Sequence, residues 1–406
     1  MVGSINAPTT GDKTLAEYIF GASKASDSSA PPTAPIGGVL KINGNEVKTG
    51  STNVIDTSGA GAPPAAGNNP PPPPVNNPPT GTNPASPVEP PVMTALPSPP
   101  APDATLTPDT QNMAGGPQPA AYGWAPAVSD NATNLLQLIN WVDNALVDLL
   151  VNGHRDITEG QWKGKYPPTI QNVVGSMGAQ SIVHRHTSTD SLTHYKKPVV
   201  QPCKYKFPKS NIEEFVKTSL TIVLLEIGLL LDTIGLVVST DIWMVGPLAS
   251  TIGSKARMAG LINMMQNHIP AAAPREVAMP ANLVYSYIMT NYVEANSCPD
   301  KLPFTTYPAL PVVRGPVENK RLKSVTVTYD DSKKAGLKMA YLGPWGKTYY
   351  EAVTPDANKP GSGTVNVPAD LSGHVWGVLV SGEVQNANDL HTVTVAGPEM
   401  IWVSEP

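Results

Sequence analysis

The chain has 406 residues, a formal net charge of -5 and a pI near 5.8, and its 45 prolines and 34 glycines stand against only 15% charged residues. No lysine or arginine lies between Lys48 and Arg155, so no basic stripe is available to neutralise a phosphate backbone, and nucleic-acid binding is not expected. The length allows two domains plus a tail, and most of the proline falls in the first third.

Met1 to Tyr18 has neither a basic leading region nor an apolar core, which predicts no secretory signal and a cytoplasmic or other intracellular location, with unconventional secretion left open. From Ala30 to about Ala121 the chain runs through Pro, Ala, Gly, Ser, Asn and Thr, including the unbroken Pro70 to Pro74. So few branched aliphatics and aromatics cannot bury enough surface to offset the entropy of ordering, so residues 1–125 read as an extended, partly polyproline arm. Two islands interrupt it: a short helix over 13–21, carrying Leu15, Tyr18 and Ile19, and a hairpin over 38–49 around Asn43-Gly44. Neither folds alone, but either can dock on a partner.

Residues 126–312 read as a helical bundle. Ser129-Asp130 suits an N-cap, and Leu135, Leu138, Ile139, Val142, Ala145, Leu146 and Leu149 follow at helical spacing until Gly153, read as the stop. A second helix is expected in the region Trp162 to Tyr195, where Gly175 and Gly178 point to close helix packing or a weak first turn. A third, from about Asn211 to Val238, is long and apolar enough to suggest a membrane span. Glu226 and Asp232 lie inside it, and each would cost roughly 2.5 to 3.5 kcal/mol at mid-membrane, so a buried bundle helix is expected and no membrane insertion. A fourth helix is predicted from about Pro247 to Asn267, and a fifth around Asn282 to Asn296.

Residues 316–406 change to alternation: Val325, Val327 and Tyr329; Val365 and Val367; Val375, Gly377 and Leu379; Val393 and Val395. With Gly343-Pro344, Pro360-Gly361 and Gly397-Pro398 as turns, this predicts a small all-β sandwich. His374, His391 and Ser372 stand isolated there and give no catalytic constellation. In the bundle, His184 and His186 point about 200° apart on a helix and do not converge with His194 on a metal. Ser181, His184 and Asp190 lack the strained turn of an acyl-transfer nucleophile.

Several runs carry a resemblance: Pro202-Cys203-Lys204-Tyr205-Lys206-Phe207-Pro208, then Leu225-Glu226 and Gly235, Asn296-Ser297-Cys298-Pro299, Tyr307-Pro308-Ala309-Leu310 and Ala396-Gly397-Pro398. Together they resemble the fungal stress-response and desiccation-related ferritin-like family. The resemblance implies a four-helix bundle whose helices would present Glu, Glu-x-x-His, Glu and Glu-x-x-His to two irons or manganeses. In this register Ser181 and His184 occupy the second-helix pair, Glu226 the third-helix position, and Lys255 and Met258 the fourth-helix pair. Asp143, or alternatively Asp148, stands on the first helix. The resemblance also implies pairing of Cys203 with Cys298, although a reducing cytosol would favour two buried thiols.

The fold expected is therefore α+β and multidomain: arm, ferritin-like bundle, sandwich. A lysine offers only donors and a thioether is too soft for iron or manganese, so no cofactor and no working metal centre are expected. If Asp143, Glu226 and Lys255 meet, the ammonium can stand in for the metal charge. The functional expectation is a non-catalytic structural protein, stress- or development-related, whose partner is itself through the arm. Alternatives are a metal-dependent redox or stress-protection protein, and a module whose Pro-rich run recruits SH3 or WW domains.

Overall fold

The computed structural model describes residues 41–42, 45–46, 96, 99–117, 123–163, 166, 169–330 and 336–404. The chain divides into two units, Met1–Ala85 and Ser86–Pro406. In the first, β1 (Lys41–Ile42) pairs antiparallel with β2 (Asn45–Glu46), while the helix expected over 13–21 and the run Pro70 to Pro74 lie outside the described residues.

The second unit is α+β, with helices first and antiparallel sheets after. It begins earlier than the composition suggests. Helix α1 (Pro108–Ala114) lies within the stretch expected to be extended, capped by Thr107 Oγ1, which accepts from Thr110 N at 3.1 Å. Leu96, Leu106 and Met113 pack on Val147 and Val151 of helix α2 (Asp130–Thr158) and on Ala179 and Ile182 of helix α3 (Ile170–His194). The boundary at residue 125 is thus corrected: from Leu96 onward, apolar side chains spaced along the Pro-rich stretch find a groove between two helices.

Ser129 caps α2 as expected, and its N–H and Oγ also donate to the Asp241 carboxylate at 3.0 and 2.6 Å. Gly153 does not end α2. The Phe215 ring lies against it so closely that a Cβ there would sit 2.1 Å from Phe215 Cε2. Gly178 of α3 admits Leu96 in the same way, with 2.9 Å between its hypothetical Cβ and Leu96 Cδ1.

Helix α4 (Ile212–Val237) is long and apolar enough to cross a membrane, and 72% of its most apolar window is buried within the protein. Helix α5 (Val245–Met265) packs along it, and helix α6 (Ala281–Tyr292) stops short of the expected Asn296. There the backbone turns extended at Val293 and bridges Tyr205, with Lys206 N donating to Tyr292 O at 2.8 Å and Glu294 N to Lys204 O at 2.9 Å. This short ladder brings Cys203 and Cys298 together, and they form a disulfide rather than two free thiols. Trp141 Nε1 donates to Cys203 Sγ at 3.2 Å.

The C-terminal part holds two four-stranded antiparallel sheets. One has the order β3 (Val312–Arg314), β6 (Ser324–Thr328), β10 (Ser362–Asn366), β9 (Thr354–Pro355). The other runs β12 (Thr394–Trp402), β11 (His374–Val380), β7 (Lys338–Leu342), β8 (Thr348–Ala352). A short pair, β4 (Val317–Glu318) with β5 (Arg321–Leu322), stands beside them. Val393 does not enter β12; it closes the 3-10 turn Ala387–Thr392.

Strand β11 reads almost continuously apolar because both its faces are covered. Val375 and Leu379 join Val325, Val327 and Tyr341 inside the sandwich. Trp376, Val378 and Val380 join the helical core instead, with Trp376 edge-on to Tyr287 of α6 at 5.5 Å. Sheet and helices therefore share one hydrophobic core, and the alternation of Val375, Gly377 and Leu379 marks only half of the strand's burial.

Candidate functional site

Four helices each send one polar side chain to the same buried point: Asp143 from α2, Ser181 from α3, Glu226 from α4 and Lys255 from α5. All four are 0–1% exposed. Lys255 Nζ lies 2.7 Å from Glu226 Oε2, 3.7 Å from Asp143 Oδ1 and 3.5 Å from Ser181 Oγ. An ammonium has three donors and no acceptor, and this arrangement surrounds it with three oxygens.

Two carboxylates at one point cannot both carry charge cheaply. Burial, then the neighbouring Glu226 carboxylate, push the Asp143 carboxyl well above its usual range, and Lys255 only partly offsets them. The centre is accordingly a Glu226–Lys255 ion pair with Asp143 beside it, its carboxyl pushed toward the neutral form. Asp148, the alternative first-helix position, lies elsewhere: its raised pKa reflects burial, tempered by Asn152, Lys209 and Arg155.

A wider polar layer fixes these groups. Asn140, Asp143 and Asn144 lie at i, i+3 and i+4 on α2 and face Arg185, Ser188 and Thr189 of α3. Asn140 Nδ2 donates to Ser188 Oγ at 2.9 Å and to Thr189 Oγ1 at 3.0 Å, and its Oδ1 accepts from Val200 N at 3.2 Å. Arg185 donates to Asn144 Oδ1 at 3.2 Å and to the carbonyls of Pro100 and Ala101 at 2.8 and 3.2 Å. Arg185, Asn140 and Asn144 were not singled out in the sequence. Their signal is a polar stripe at helical spacing on two helices that otherwise bury apolar faces.

The remaining expected positions separate. Met258 is buried in the helical core. His184 is largely buried; burial, then Lys255 and Arg257, hold its imidazole well below its ordinary pKa, so it is neutral. His186 faces Asp190 at 3.5 Å, and His194 stacks on Trp124 at 4.4 Å, so the three histidines do not converge. Ser181 meets Lys255, with no role shared with Asp190. His374 is not isolated: its Nε2 lies 2.9 Å from Asn263 Oδ1 and its ring packs on Trp402.

The residues at the centre do not fit a di-iron or di-manganese group. Lys255 brings a positive charge to the point where two divalent ions would need anionic oxygens, and burial and Glu226 push the Asp143 carboxyl toward its neutral form. Among the described residues, no three His, Cys, Asp or Glu side chains gather where they could hold a metal ion. Comparison with protein-family models and with curated proteins finds no match for this chain.

Proposed function

We propose that the chain is a non-catalytic structural, self-assembling protein built on a ferritin-like bundle, in which an internal ion pair has taken over the position of a di-metal centre. The observation that carries this reading is the Lys255 ammonium, 0% exposed and 2.7 Å from Glu226. A buried ion pair of this kind adds little net stability over a well-packed apolar core, but once present neither partner can be removed singly. It locks four helices in one register without contributing a nucleophile, a redox group or an open coordination position.

The rest of the molecule supports a building-block role. The second sheet is buried on both faces, which joins bundle and sandwich into one stiff body. Apolar side chains remain exposed on it, including Ile242 at 72% and Trp345 at 82%. The Pro-rich residues before Leu96 supply the arm that ties one copy to the next.

The test is the size of the full chain by sedimentation velocity beside a variant lacking residues 1–85, a cut that keeps Leu96 and α1. The full chain is expected to form oligomers and the shortened one monomers or small oligomers. A monomeric full chain, or the same particle after truncation, overturns the proposal.

A further inference from the structure

A cavity of about 90 Å³ runs into the bundle between α2, α3, α4 and α5. Its lining begins at exposed Gly123 and Pro247 and ends on Asp143, which is 1% exposed. The walls are mostly apolar: Leu136 and Ile139 of α2, Leu230 of α4, Leu248 of α5, and the indoles of Trp124 and Trp243, which meet edge to face at 5.9 Å. The deep end is polar. Asp143, His184 and Ser188 share it; His184 Nδ1 is buried without a hydrogen-bond partner among the described residues, while the Asp143 carboxyl is already engaged by Lys255, Ser188 and Glu226.

A buried polar atom without a partner is uncommon in a native core, and one that lines an apolar cavity marks a place for a ligand. The charge pattern selects its class. A cation would stand beside Lys255, 3.7 Å behind Asp143 Oδ1. An anion would be stripped of water among apolar walls, with the Lys255 ammonium already held by Glu226. A hydroxyl can accept and donate, so it suits the neutral His184 imidazole in either tautomer. Size sets the rest: apolar cavities of about 150 Å³ hold a benzene, so this one takes about four non-hydrogen atoms.

We propose that this pocket is a binding site for a small neutral alcohol, its hydroxyl on His184 Nδ1 and its short hydrocarbon body against Leu136, Ile139 and Leu230. The site does not depend on the assembly proposed above, since every group that builds it comes from one chain.

Saturation-transfer NMR on the full chain with 1-propanol tests it, with propionate and propylammonium as charged matches of the same length. Saturable binding in the millimolar range is expected for 1-propanol, with neither ion competing. The Thr251→Trp variant, at a rim position on α5, should abolish it. Independently of that variant, titration should shift the indole N–H resonances of Trp124 and Trp243 and leave that of exposed Trp345 in place. Non-saturable behaviour, equal binding of either ion, binding unchanged in a folded Thr251→Trp protein, or indole shifts that spare Trp124 and Trp243 each overturns the assignment.

Discussion

Replacing Lys255 by Met removes the ammonium but keeps most of the side-chain volume, so the perturbation is electrostatic. Glu226 is then left at 0% exposure with no cation within ion-pair reach. Removing one member of a buried pair costs about 3–5 kcal/mol, because the survivor must either stay charged in a poor solvent or take up a proton. Asp143→Asn should behave differently. Burial and Glu226 push Asp143 toward its neutral form, which an amide imitates, so the loss should be about 1 kcal/mol, the scale of one hydrogen bond. The double variant Lys255→Met/Glu226→Gln removes both charges and should recover most of the stability lost in Lys255→Met. Urea denaturation at pH 7, followed by circular dichroism, measures all of these. A Lys255→Met loss below about 1 kcal/mol, an Asp143→Asn loss as large as that of Lys255→Met, or strict additivity in the double variant would refute the ion-pair account.

Three further outcomes follow from other parts of the molecule. The disulfide closes a separation of 95 residues, so Cys203→Ser should lower unfolding stability by roughly 2–5 kcal/mol; an unchanged urea midpoint in that variant, or in wild-type protein with reductant, would contradict it. Burial among Tyr287, Tyr292 and the α4 surface raises the Glu399 carboxyl to about 7, with Lys217 opposing. Its contribution is full below pH 4.5 and is lost as pH rises through about 7, so wild type should lose up to about 3 kcal/mol relative to Glu399→Gln across that window; parallel stability profiles would count against it. Gly153→Val should destabilise by about 1–3 kcal/mol through overpacking against Phe215, which melting temperatures would register; a neutral result would mean that the ring moves aside freely.

Much of the helical part is legible in the sequence, because it is written in local signals. Ser129 before an i, i+3, i+4 run fixes the start of α2, and Asn211 does the same for α4. Gly153 misleads for a physical reason: a glycine suits both a helix stop and a close approach, and only the distant Phe215 decides between them. Helix α1 carries a local signal too, in Thr107-Pro108-Asp109, but the surrounding proline content outweighs three residues. The two-sided burial of Trp376 and Val378 is invisible to an alternation rule, since it depends on a helix lying over the sheet. At the centre, Glu226 with Lys255 became legible through the helix register that the resemblance supplied. The cavity was not legible, because Trp124 and Trp243 come from a loop and a short 3-10 turn, Ile242–Met244, whose positions depend on the assembled bundle.

The claim on which the account turns is that a charge-paired lysine, and not metal, holds the bundle's centre. Purified full-length protein, expressed with iron and manganese supplied in excess and then analysed by inductively coupled plasma mass spectrometry, tests it directly. The account predicts iron and manganese far below one equivalent per chain, unchanged in Lys255→Met. Near-stoichiometric iron or manganese in the wild-type protein would contradict it.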